Sequence, residues 1–218
     1  MRVSPAVVQN DRPEETPPRR VWFWAAAIVL GAVQAWSSRY SLSPDSISYL
    51  DVGRAYLRGD WHAALNSYWS PLYAILIAAP REWLKLGPRS TVEAIHVVNC
   101  ALYLAALLAF EYLWAGLARS LQEAEVNRSA LPNRVFWALG YVVFLIATLD
   151  LIKISTVTPD LLVCVVVLIA AGMLVRMRNG GAGALGYAAL GFLMGLGYLV
   201  KAPVLPVGMV FILSLIHI

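Results

Sequence analysis

Residues 95–117 read IHVVNCALYLAALLAFEYLWAGL, a run with one carboxylate, Glu111, and no Lys or Arg. As a helix it is about 35 Å long, enough to cross a bilayer core of about 30 Å. A helix satisfies its backbone polar groups internally, which hydrocarbon demands. Working outward, apolar runs recur at about 21–36, 135–152, 161–175, 185–200 and 204–218. The 161–175 run has to borrow flanking residues to span. A further run, 71–79, is too short to cross and fits a re-entrant or interfacial helix opened by Pro71. The expectation is an all-α polytopic membrane protein with about six transmembrane helices. Its long first outer loop, residues 37–94, carries amphipathic helices.

Composition agrees. Of 218 residues, 60% are hydrophobic and 14% charged, against about 45–50% and about 25% in soluble domains. Soluble globular and disordered classes are thereby excluded. Cys100 and Cys164 both lie inside apolar runs, which excludes a disulfide scaffold and a Cys-based zinc module. The net charge is +4, but the 17 basic residues are scattered and form no stripe. That favours contact with membrane lipids over nucleic acid. Asn179-Gly180-Gly181 has no following Lys-Ser/Thr, and no phosphate loop, zinc-protease or serine-hydrolase motif is present. Gly183, Gly186, Gly191, Gly195 and Gly197 read as close helix packing.

Residues 1–20 contain Pro5, Pro13, Pro17 and Pro18 with Asp11, Glu14 and Glu15, and read as a flexible tail. No small-residue cleavage site follows the first apolar run, so that run is read as an uncleaved helix. Short loops on the tail side carry Arg119, Arg128, Arg134, Arg176 and Arg178, whereas only Lys153 and Lys201 lie in the opposite short loops. Arg19 and Arg20 abut the first helix. The positive-inside rule then puts the tail in the cytoplasm, and the expected location is the cell inner (plasma) membrane. The sequence stops at Ile218 inside an apolar run, which reads as an N-terminal part of a longer protein.

Alternation of helices gathers the 37–94 segment, the loop from Lys153 to Asp160 and the turn at Lys201 on one outer face. Ser46 to Leu57 reads as a helix, with Ile47, Leu50 and Leu57 on one stripe and Asp51, Arg54 and Arg58 on another. Tyr49, Tyr56, Trp61, Tyr68, Trp69 and Tyr73 supply amphipathic rings suited to headgroup depth. Asp45 is read either as the helix N-cap or as a general base or metal ligand. Asp160, after Thr158-Pro159, is a helix start or a second acid in the same cavity. Lys201 and Lys153 are snorkelling lysines or phosphate-binding ammoniums. Glu111 is costly at membrane depth and is a functional candidate by default, or it pairs with Arg119. His96 and Asn99 read as packing groups, and His62 is not read as a metal ligand.

Three blocks together carry a resemblance: SPDSISYL at 43–50, AYLRGDW at 55–61 and WSPLY at 69–73. They resemble the first outer loop of polytopic GT-C glycosyltransferases, closest to family 39, the protein-mannosyltransferase and aminoarabinose-transferase type. Thr158-Pro159-Asp160 and Tyr198-Leu199-Val200-Lys201 resemble later blocks of that family. The resemblance covers about residues 21–206. It implies inverting transfer of a sugar from a polyprenyl-phosphate donor to an acceptor outside the cytoplasm, with Asp45 as the loop-one acid that serves as base or holds a divalent metal. Members are usually twice this length or more, and many protein mannosyltransferases have two adjacent loop-one acids where this chain has Asp45-Ser46. That departure favours a lipid- or polymer-modifying relative.

The chemistry suits these residue types. A glycosyl phosphate has a good leaving group, so the enzyme must stabilise the departing phosphate, for which Arg58, Lys201 and Arg54 are candidates. The acceptor hydroxyl needs a base, for which Asp45 is the choice, with Asp160 beside it. Tyr49, Trp69 and Lys153 complete the expected substrate surface. No cofactor is required beyond an optional divalent metal. The rival readings are a transporter or flippase, and a non-catalytic membrane subunit.

Overall fold

The computed structural model describes residues 20–66, 68–123, 132–180 and 183–216. The tail at 1–19 and Arg128 lie outside the described residues. The described chain is helical, with no strand: α1 (Arg20–Ser37), α2 (Pro44–Arg58), α3 (Trp61–Ala64), α4 (Pro71–Leu84), α5 (Pro88–Glu123), α6 (Asn133–Leu145), α7 (Asp160–Gly180), α8 (Ala184–Val200) and α9 (Val204–Ile216). Three helical stretches are long and apolar enough to cross a membrane: α5, α6 with the turn that prolongs it to Leu151, and α7. The protein is therefore a membrane protein. The short 161–175 run does borrow its neighbours, since α7 has 21 residues.

α5 is the axis. Its 36 residues make a rod of about 54 Å, longer than the apolar run at its centre. α7 packs along it, and α1 and α6 flank it. Between lipid-facing helices the hydrophobic effect gives little, so shape and hydrogen bonds hold them. An aromatic stack does part of this, with Phe110 on Trp114 at 5.4 Å, Trp114 on Phe136 at 4.8 Å, and Phe110 against Tyr141 and Phe144 at 5.1 Å each. α6 ends in a π-helical turn, Ile146–Leu151, where Ile152 N–H reaches the Ala147 carbonyl at 2.9 Å. The widened turn leaves the Leu149 carbonyl for the Gln34 amide of α1, at 2.7 Å.

α2 and α4 form a second layer beside α5. Neither is long enough to cross a bilayer: α2 has 15 residues and α4 has 14. α4 begins at Pro71, where the missing N–H costs nothing. α2 ends at Gly59, whose φ of 74° closes the helix in the left-handed region. The buried face of α2 is Ser46, Tyr49, Leu50 and Gly53. This corrects the expected stripe, because Ile47 is exposed. Gly53 sits where a Cβ would strike the Ala74 carbonyl of α4, so the two backbones are as close as a glycine permits.

The glycine reading of α8 is also corrected. Gly197 packs on Val204 and Val166, but Gly183, Gly191 and Gly195 face open space. Gly183 instead forms the extended N-cap of α8.

Candidate functional site

Asp160 opens α7, where a carboxylate suits the positive end of the helix dipole. Lys201 follows the last residue of α8 in extended backbone, φ −162° and ψ 127°, its N–H held by the Gly197 carbonyl. The two helix ends bring Lys201 Nζ to 2.6 Å from Asp160 Oδ1. The side chains are 40% and 37% exposed, so the pair contributes at most about 1 kcal/mol to stability. Its consequence is positional, because it fixes an ammonium where α7 begins and α8 ends. Lys201 is thus ion-paired at the end of α8.

Behind this pair stands an aromatic wall from the second layer. Tyr49 is buried and meets Trp69 edge-on at 4.7 Å and Tyr73 at 5.2 Å. Burial, with the Asp160 and Asp45 carboxylates adding to it, pushes the Tyr49 phenol up to about 12. Burial likewise pushes the Tyr73 phenol upward, against the opposing hydrogen bond to Asn99. Both are therefore neutral hydrogen-bond donors at physiological pH. The field of Asp160 is felt at both rings and that of Asp45 at Tyr49. Asp45 and Asp160 thus both lie within electrostatic reach of Tyr49. Tyr49 and Tyr73 are packed inside the protein, while Trp61 and Tyr68 are exposed.

Asp45 is not the cap of α2. Ser43 caps it, its hydroxyl accepting from Ser46 N–H at 3.3 Å while Ser46 Oγ accepts from Ser43 N–H at 3.0 Å. Asp45 stands in the first turn, exposed, with no hydrogen bond or ion pair among the described residues. The helix dipole favours it there without consuming its oxygens.

Arg54 and Arg58 belong to another cluster. Thirteen residues of helix put Arg58 about 20 Å along α2 from Asp45. Arg54 Nε donates to Glu82 Oε1 at 3.1 Å, and Arg58 donates to both Glu82 oxygens, from Nε at 2.9 Å and Nη2 at 3.1 Å. Asp51 adds a 3.5 Å contact to Arg54. The guanidiniums hold the Glu82 carboxyl below its ordinary range. They serve as a clamp between α2 and α4. Asp60 caps α3, accepting from Ala63 N–H at 3.2 Å, and His62 is exposed. Lys153 is exposed at a φ of 63°, in the loop leading to Asp160.

Three residues that position the site are not legible as such in the sequence. Asn99, fully buried in α5, accepts from Tyr73 Oη at 3.0 Å and donates to the carbonyls of Thr156 at 3.1 Å and Ile154 at 3.4 Å. Gln34 of α1 accepts from Ile154 N–H at 2.9 Å. His96 Nε2 meets the Ser41 carbonyl at 2.9 Å, tethering the segment before α2. Together they pin the segments that lead into α2 and α7. A lone Asn or Gln in an apolar helix is the signal, since a buried amide requires partners.

Glu111 lies at the other end of α5. Trp24 Nε1 donates to it at 3.0 Å, Tyr141 Oη also donates to it, and Arg20 stands at 3.6 Å with its guanidinium over the Trp137 ring. Its cationic partner is thus Arg20 of α1 rather than the expected Arg119. Among the described residues no group of three or more His, Cys, Asp or Glu side chains comes together in metal-binding fashion. No family model, no curated protein and no solved structure matches this chain.

Proposed function

We propose that the chain is a membrane glycosyltransferase of GT-C type, transferring a sugar from a polyprenyl-phosphate donor to an acceptor on the extracytoplasmic side of the cell inner (plasma) membrane. What supports this reading is a carboxylate with no hydrogen bond or ion pair among the described residues, Asp45, an ammonium held by Asp160, Lys201, and the Tyr49 ring within electrostatic reach of both acids. The sequence blocks around 43–50 and 69–73 add the resemblance to family 39. In this reading α1 and α8 add spans to α5, α6 and α7, α9 belongs to the sixth apolar segment, and the N-terminus is cytoplasmic.

The acceptor hydroxyl attacks the anomeric carbon from the face opposite the phosphate. The new carbon–oxygen bond forms as the bond to the phosphate oxygen breaks, and the hydroxyl proton passes to Asp45. Lys201 stabilises the departing lipid phosphate, and Asp160 holds Lys201 in place. Tyr49 and Trp69 back the sugar. Lys153 is a second phosphate cation at the loop before Asp160. Arg54 and Arg58 keep the α2–α4 layer in position. The lipid carries the activated sugar, so the reading needs no nucleotide site; a divalent metal beside Asp45 is an optional addition.

The test is transfer of labelled sugar from a polyprenyl-phosphate donor in membranes bearing the intact protein. Asp45→Asn lowers the rate about 10²- to 10⁴-fold in a folded protein. Full activity in that variant would remove the base role and, with it, this reading.

A further inference from the structure

α5 and α7 pack side by side, and both are long and apolar enough to cross a membrane. Their contacts fix the register. Gly172 seats the Tyr112 ring, Gly116 seats the Arg176 guanidinium, and Asn179 Nδ2 donates to Ser120 Oγ at 2.5 Å. Residue numbers rise together along the seam, so the helices are parallel, and Asp160 and Arg178 lie at its opposite ends. Gly116 is the last residue but one of the apolar run 95–117. Centring that run in a bilayer core of about 30 Å puts Arg176 at the edge of the hydrocarbon, beside the headgroup layer.

Arg176 is held there rigidly. Its guanidinium stacks on the Tyr112 ring at 3.6 Å, Nη1 donates to the Gly172 carbonyl at 2.8 Å, and Nη2 donates to the Tyr112 carbonyl at 2.7 Å. That engages two of its five N–H groups and leaves three. Arg119 lies three residues beyond Gly116, on the same face of α5. It is exposed, its Nε reaches the Ala115 carbonyl at 3.4 Å, and its terminal nitrogens have no partner among the described residues. Arg178 is exposed at the end of α7. None of the three makes an ion pair among the described residues. The C-termini of the two parallel helices together supply about one negative charge. Glu123, the last residue of α5, supplies one more. The three guanidiniums therefore exceed their surroundings by about one positive charge. A cation left uncompensated at this depth is costly and calls for an anion. A leaflet borders the seam, and the anions of a leaflet are its phosphates.

We infer that the seam between the final turns of α5 and α7 is a binding site for an anionic phospholipid. The phosphate lies against Arg176 and Arg119, whose planar forks match its oxygens. The head carries no ammonium, because the excess positive charge and Arg178 repel one. The inference requires only that α5 and α7 cross a bilayer. It is independent of sugar transfer and of which end of the seam faces the cytoplasm.

The experiment reconstitutes the intact protein in phosphatidylcholine discs doped with phosphatidylglycerol, and counts retained lipids by native mass spectrometry. Both lipids carry the phosphate, but only phosphatidylglycerol is net anionic. The site predicts retention of phosphatidylglycerol over phosphatidylcholine by about tenfold relative to their ratio in the disc, equivalent to about 1.4 kcal/mol. The double variant Arg119→Gln with Arg178→Gln changes two exposed side chains, keeps its helicity and loses the preference. Arg176→Lys keeps the charge but neither the fork nor the stack, and lowers the preference about threefold. Arg89→Gln removes a cation from the first turn of α5, at the far end of the helix, and leaves the preference intact. Equal retention of the two lipids by the wild type, or an unchanged preference in the double variant or in Arg176→Lys, would overturn the site. An equal loss in Arg89→Gln would assign the preference to diffuse charge and overturn it too.

Discussion

The α2–α4 layer and the α8–α9 pair are both two-helix units, and they are held by opposite means. α2 contains Asp45, Asp51, Arg54 and Arg58, yet it buries Ser46, Tyr49, Leu50 and Gly53 against Tyr73, Ala74, Ile77 and Ala78 of α4. α8 and α9 carry no charged residue, yet Leu185, Phe192, Leu205, Met209 and Ile212 are all exposed. In the first unit side chains leave water, and burial stabilises by about 25 cal/mol per Å². In the proposed reading the second unit faces lipid, where moving onto another helix gains little. Apolar content therefore marks the membrane, while the packed, site-bearing layer is the more polar one.

Glycine substitution breaks the comparison most sharply. Gly53→Leu puts a side chain against the Ala74 backbone, which cannot swing away, and costs about 3 kcal/mol. Gly191→Ala in α8 points into open space and is stabilising by about 0.5–1 kcal/mol through helix propensity. Thermal unfolding in detergent of the two variants reads the contrast directly. Similar destabilisation by both would mean that α8 is packed as tightly as α2.

Asn99→Leu comes next. It leaves the Tyr73 hydroxyl and two loop carbonyls without their partner, at about 1–3 kcal/mol. Amide exchange over residues 152–159 rises, while α8 is unchanged.

The smallest effect is electrostatic. Glu82 has its carboxyl lowered below the ordinary 4.5, first by the Arg58 hydrogen bond. A depressed folded value means that the clamp contributes fully above about pH 4.5 and is lost as pH falls through that lower value. Its worth is under about 1 kcal/mol, since Arg58 is 58% exposed. Glu82→Gln flattens this acid limb of the stability curve, and an unchanged limb would place the pH dependence elsewhere.

How far the sequence reaches follows from the same contrast. Local periodicity locates α2 and α4, down to Pro71 as the first residue of α4. It puts Arg54 and Arg58 on one face, four residues apart. It is silent on Glu82, which lies 24 residues beyond Arg58, so two apparent phosphate ligands turn out to be clamped. The odd-and-even threading of helices places Asp160 and Lys201 on one face, but their 2.6 Å contact spans 41 residues and belongs to packing. Asp45 read as a cap because Asp is a good cap; Ser43 wins because Pro44 takes the first helical position and Ser46 completes the reciprocal box. Asn99 and His96 look like packing groups in a linear reading, and Gln34 does not stand out, because their backbone partners lie 55 to 120 residues away.

The central claim is that Asp45, Asp160 and Lys201 share one mouth on the outer side. Single Asp45→Cys, Asp160→Cys and Lys201→Cys variants, in a background with Cys100 and Cys164 replaced by Ala, are labelled in intact cells with a membrane-impermeant maleimide. The account predicts that all three react from outside, whereas Arg119→Cys and Arg178→Cys react only after the membrane is opened. Labelling of Asp45→Cys from one side and Lys201→Cys from the other would contradict it.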